Sequence, residues 1–156
     1  MGKKGSLSTL LFALSMLLFL CATFAMFGAV VKYNDAAFPN MFEIAFGTSG
    51  ADDIRVVGGT AVFAFQMIIL ACIVAIIYGT ITRKFHYIVT MILYGIICLS
   101  SFIAFIISFN LLSLYGKGHL LSVDATLGPG PIAYSVLHIV GLVSTLVGLF
   151  FSRRNA

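Results

Sequence analysis

The chain has 156 residues, 61% of them hydrophobic and only 9% charged, with a net charge of +4 and a mean hydropathy of +1.13. That composition excludes a soluble domain and marks an integral membrane protein. The basic residues are spread by segment rather than gathered in one patch, so the positive balance does not point to nucleic acid.

Four stretches carry no Asp, Glu, Lys or Arg: 5–31, 56–82, 85–116 and 125–152. Each exceeds the ~20 apolar residues a helix needs to cross ~30 Å of hydrocarbon. The expected fold is therefore all-α, a bundle of four transmembrane helices in one membrane domain covering 1–156, with spans near 7–31, 60–80, 87–110 and 131–151. Outward loops would then cover about 32–59 and 111–130. Lys3, Lys4, Arg83, Lys84, Arg153 and Arg154 fall on one side of such a bundle, and all five acidic residues fall on the other. Because positive charge is retained on the inner face, both termini are expected to be cytoplasmic, in the cell membrane.

Met1-Gly2 with Ser6 fits a minimal acylation pattern, but an acyl anchor adds little to a chain that enters the membrane at once. The basic start and Thr23-Phe24-Ala25 also resemble a cleavable leader, yet the apolar run 7–31 is far longer than a leader's core, so it is kept as a span. Cys21, Cys72 and Cys98 each fall inside a span without CxxC or Cys/His spacing, which suits apolar packing and predicts no disulfide. Trp is absent, leaving Tyr33, Tyr78, Tyr87, Tyr115 and Tyr134 to supply the interfacial aromatic belt.

In the first outward loop Phe38-Pro39 sets a turn, and Met41 to Phe46 forms an apolar patch too short to span, expected at the interface or on the bundle top. Asp35, Glu43, Asp52 and Asp53 offer oxygen ligands for a divalent cation, but without EF-hand spacing they read as a solvated acidic loop, and no metal is expected. Span two carries Ala71, Ala75 and Gly79 at four-residue spacing, and span four carries Gly141, Ser144 and Gly148. Small residues in such stripes let another helix approach closely. Span three has a comparable row, Cys98, Ser101, Ala104 and Ser108, and the short 83–86 turn makes spans two and three antiparallel neighbours. In the second outward loop, 120–126 has extended character, with 54–57 as its expected strand partner in a small extracellular β element. Leu127-Gly128-Pro129-Gly130-Pro131 then breaks the chain before span four.

The polar positions inside the spans carry the functional information. His138 lies about seven residues, or ~10 Å, below the outward end of span four. Gln66, Ser101 and Thr23 come to a similar depth in the other three spans, and Tyr134 shares the His138 face, as do Gly141, Leu142 and Thr145. An ionisable side chain at that depth is a functional-site hypothesis by default. The structural alternative is a layer of interhelical hydrogen bonds worth ~0.6–2 kcal/mol each. A proton path from His138, whose unperturbed pKa is ~6.5, would need further titratable groups, and the spans contain no Asp, Glu, Lys or Arg to continue it. Gln66 lies about 140° around its helix from Ala71, so the two cannot address one neighbour: span two has two partners, or Gln66 is less buried. No P-loop, dinucleotide fingerprint, HExxH or nucleophile elbow occurs, so no catalytic residue, enzyme activity or cofactor is expected.

Phe42-Glu43-Ile44-Ala45-Phe46-Gly47 after span one, together with Leu127-Gly128-Pro129-Gly130-Pro131 leading into a span with Gly141 and Gly148, resembles short four-span membrane proteins encoded in many Gram-positive bacteria. That resemblance implies a topology and no activity. The loop pattern is also similar in outline to claudin-like tetraspans, but the Trp and the paired outward cysteines expected there are missing. The leading expectation is a membrane protein that acts by association, as accessory subunit or self-assembling scaffold. Its partners would be the bilayer and either a second copy or another membrane protein. The alternative is a small transporter or channel component with a polar pocket around His138 and Gln66.

Overall fold

The computed structural model describes residues 3–33, 36–37, 40–46, 57–111, 113 and 126–153. Its elements are α1 (Lys3–Ala25), β1 (Val31–Tyr33), β2 (Ala36–Ala37), α2 (Met41–Phe46), α3 (Val57–Thr82), α4 (Tyr87–Phe109), β3 (Thr126–Leu127) and α5 (Pro129–Arg153). Four of these helices contain stretches long and apolar enough to cross a membrane: Leu7–Ala25, Val57–Thr82, Tyr87–Phe109 and Pro129–Ser152. The chain is a multi-pass membrane protein built as a helical bundle.

Backbone hydrogen bonding corrects the first boundary. The first span ends at Ala25 rather than at residue 31. Beyond it, the Met26 carbonyl accepts from Met41 N–H at 3.0 Å, Ala29 from Gly130 N–H at 3.1 Å and Val30 from Gly128 N–H at 2.7 Å. Chain segments from elsewhere thus satisfy the groups that one more helical turn would have satisfied. The Gly-Pro-Gly-Pro segment is a packing device as well as a breaker. A Cβ at Gly28 would stand 2.7 Å from Gly130 Cα, and one at Gly130 would collide with the Gly28 carbonyl, so the two backbones touch only because both side chains are hydrogen.

The sheet also differs from expectation. Thr126 and Leu127 pair antiparallel with Lys32 and Val31, and β1 pairs on its other edge with β2, in the order β2-β1-β3. The expected partner of 120–126 was 54–57; Val57 instead opens α3, and 54–56 and 120–125 lie outside the described residues. Phe38-Pro39 lies outside them too.

The apolar patch of the first loop is α2, which closes one end of the bundle. Asn40 and Glu43 form a reciprocal capping box: Glu43 Oε2 accepts from Asn40 N–H at 2.8 Å, and Asn40 Oδ1 accepts from Glu43 N–H at 2.9 Å. With its first turn fixed, α2 buries Met41, Ile44 and Ala45, and Thr60 of α3 donates to the Ala45 carbonyl at 3.0 Å. Phe42 and Phe46 both meet Phe63 of α3, with ring centroids 5.8 and 4.6 Å away.

The four long helices run alternately up and down. α1 packs along α5, α5 on α4, and α4 on α3, while α1 and α3 touch sparsely. On the α1–α5 seam, Gly141 and Gly148 are the notches into which Phe19 and Phe12 fit, with a virtual Cβ 2.8 and 2.9 Å from the respective rings. Ser8 adds a hydrogen bond to the Gly148 carbonyl at 3.0 Å. At the α3–α4 turn Arg83 takes a left-handed conformation, φ 52°, that ends α3, and Phe85 folds back against Gly79. His86 then caps α4, its Nδ1 accepting from Ile88 N–H at 3.4 Å.

Candidate functional site

His138 has no exposed surface, and Gln66 is only 1% exposed. The Gln66 amide fills every hydrogen-bonding position it has. Its Nε2 donates to the Phe19 carbonyl and to Thr23 Oγ1, both at 2.9 Å, and its Oε1 accepts from the Tyr134 hydroxyl and from His138 Nε2–H, again both at 2.9 Å. Two donors and two acceptors are all that a primary amide offers.

That arrangement sets the histidine's tautomer. Gln66 Oε1 can only accept, so the proton is on His138 Nε2. Nδ1 is then the acceptor for Ser101 Oγ–H, which lies 2.8 Å away. One network therefore links α1 through Phe19 and Thr23, α3 through Gln66, α4 through Ser101, and α5 through Tyr134 and His138.

Local sequence explains how each group arrives there. Tyr134, His138, Gly141 and Thr145 fall on one face of α5 and are buried, with Leu142 half-buried beside them. Gly141 lets the Phe19 ring lie near the imidazole, with centroids 5.4 Å apart, while the Tyr134 ring centroid is 4.2 Å from it. On α4, Ser101, Ala104 and Ser108 are buried in the α5 seam and Cys98 is half-buried. Ser108 donates to the Pro131 carbonyl at 3.3 Å, and Ser135 to Ser108 Oγ at 3.2 Å.

Two apolar clusters bracket the network. Toward the α2 end lie Met26, Val30, Met41, Ile44, Val62 and Leu111. Toward the other end lie Phe19, Ile69, Ile73, Ile76, Tyr94 and Ile97.

The structure thus brings together Thr23, Gln66, Ser101, Tyr134 and His138. Tyr134 does not serve in the interfacial belt: it is wholly buried and its hydroxyl is spent on Gln66, whereas Tyr78 and Tyr87 are exposed. The stripe on span two divides. Gly79 is buried under Phe85, but Ala71 is exposed and Ala75 half-buried, on an open apolar groove with Met67, Leu70, Val74 and Tyr78. Gln66 is therefore fully buried and Ala71 faces out of the bundle, which resolves their angular separation. On α5, Gly141, Ser144 and Gly148 are all buried. Of the acidic loop residues, Glu43 is spent on the capping box, and Asp35, Asp52 and Asp53 lie outside the described residues. Cys21, Cys72 and Cys98 are free thiols. Among the described residues no three His, Cys, Asp or Glu side chains gather as metal ligands.

No known protein family, curated protein or solved structure matches this chain. What the site can do must come from its own chemistry. The imidazole, held by the Ser101 hydroxyl on one nitrogen and by the Gln66 amide oxygen on the other, can bridge α3, α4 and α5 by hydrogen bonds.

Proposed function

We propose that the chain is a multi-pass protein of the cell membrane, with both termini cytoplasmic, that acts by lateral association in the bilayer as an accessory subunit or self-assembling scaffold. The observation that carries this is the closure of the polar layer: all four hydrogen-bonding positions of Gln66 are filled from within the chain. Intramembrane polar groups that carry a solute or proton must exchange partners along a path. Here the network is bracketed by apolar clusters on both sides, which supports a role in holding the bundle rather than in conduction. Within the span-two stripe, the outward Ala71 and Ala75 remain open to another helix, whereas Gly79, Gly141 and Gly148 are already used inside the chain. The orientation follows from the basic residues at the end of the bundle opposite α2.

The test is a count of copies by single-molecule photobleaching in native-lipid nanodiscs, alongside flux measurements in vesicles. Discrete multimers, or a stoichiometric membrane partner, that are lost in Ala71→Phe/Ala75→Phe would support association. A monomer without a partner, whose proton or solute flux disappears in His138→Leu, would replace it with the transport alternative.

A further inference from the structure

The sparse contact between α1 and α3 leaves a second feature, unrelated to the polar layer. Near the end of the bundle opposite α2, an open groove of about 350 Å³ separates the two helices. Phe12, Ala13 and Met16 form one wall, Ile77 and Thr80 the other, and Tyr94 of α4, stacked on Phe12 at 4.5 Å, forms the floor. From Thr9 to Met16 the α1 wall runs ~10 Å, well within one leaflet of a ~30 Å hydrocarbon core. The groove forms because Gly141 and Gly148 draw α1 onto α5, while Gln66 ties α1 to α3 only at the other half of the bundle.

The charge at the mouth identifies the occupant. Arg83 and Lys84, both exposed, follow directly on the α3 wall. An apolar slot inside the hydrocarbon with basic residues at its membrane-surface end matches an anionic phospholipid, acyl chain in the slot and phosphate at the mouth. We propose that this groove is a binding site for an anionic diacyl phospholipid, held by its acyl chain between α1 and α3 and by its headgroup on the basic residues of the α3–α4 turn. The site does not depend on how many copies of the chain assemble.

Native mass spectrometry of the full chain, released from micelles containing equimolar phosphatidylglycerol and phosphatidylcholine with the same acyl chains, tests this. The expected result is a preference of about tenfold for phosphatidylglycerol, falling to about twofold in Arg83→Gln/Lys84→Gln. Ala13→Phe, at an exposed position, should fill the slot and cut retention of both lipids, while the protein's melting temperature without lipid stays at the wild-type value. A matching change at exposed Leu99, on another face, should leave retention unchanged. Equal retention of the two lipids, unchanged retention in Ala13→Phe, or equal stabilisation by glycerol phosphate without acyl chains would each overturn the proposal.

Discussion

Gln66 and His138 stand on helices that are not sequence neighbours, yet the amide oxygen of one accepts from Nε2–H of the other at 2.9 Å. Gln66 is the hub, because its removal strands groups on two other helices at once, Thr23 on α1 and Tyr134 and His138 on α5. Gln66→Met should orphan the Tyr134 hydroxyl and His138 Nε2–H, at ~1–3 kcal/mol per buried group. His138→Leu strands only the Ser101 hydroxyl and one lone pair of Gln66, and Ser101 has a second acceptor in the His138 carbonyl at 3.4 Å. The larger loss in detergent melting is expected for Gln66→Met, with a double-mutant cycle giving a coupling of ~0.6–2 kcal/mol. Equal losses that add would show that the two side chains act independently.

Much of this layer was legible in the sequence because depth along a helix is a linear quantity. Counting residues from the span ends brings Thr23, Gln66, Ser101 and His138 to one level at ~1.5 Å each. Rotation is harder to read, since in a bilayer both faces of a helix are apolar and pattern alone does not say which is inside. Hence the Ala71 stripe has a spacing that invites close packing but faces out, while Gly79 on the same row is covered by Phe85. The strand pairing was illegible for another reason. With only two residues in β3, the local β signal is negligible, and its register comes from the Gly128 and Gly130 contacts to 29–30.

Those glycine contacts make Gly28 and Gly130 sensitive positions. Gly130→Ala would push a methyl into the Gly28 carbonyl, a backbone atom that cannot rotate away. Strain of ~1–3 kcal/mol is expected. By contrast Gly95 has nothing within 4 Å of a virtual Cβ, and Gly95→Ala should stabilise α4 by roughly 0.5–1 kcal/mol through backbone entropy. Thermal melts of the two variants should therefore move in opposite directions. A melting point for Gly130→Ala at or above wild type would refute the close approach.

The capping box of α2 is separable by chemistry. Glu43→Gln keeps an acceptor for Asn40 N–H, whereas Glu43→Ala removes it. The alanine variant should lose ~0.5–2 kcal/mol and show faster amide exchange at 41–46, with the glutamine variant close to wild type. If both variants exchange alike, Glu43 does not hold the first turn.

The α1–α5 seam provides a prediction with a built-in rescue. Phe19 fills the notch at Gly141, where an added Cβ would lie 2.8 Å from Cε1 and 3.0 Å from Cζ of the ring. Gly141→Ala must move that ring, which also packs on His138 and whose backbone carbonyl accepts from Gln66. A loss of ~1–3 kcal/mol is expected from overpacking. Shortening the knob in Phe19→Leu leaves a void on its own, but in the double variant the new methyl occupies part of that space. Gly141→Ala/Phe19→Leu should therefore be more stable than the sum of the two single changes by about 0.5–3 kcal/mol, measured as a coupling in detergent unfolding. Strict additivity would mean that the two residues do not share the notch, and that α1 is held on α5 by the Ser8 and Gly148 contacts alone.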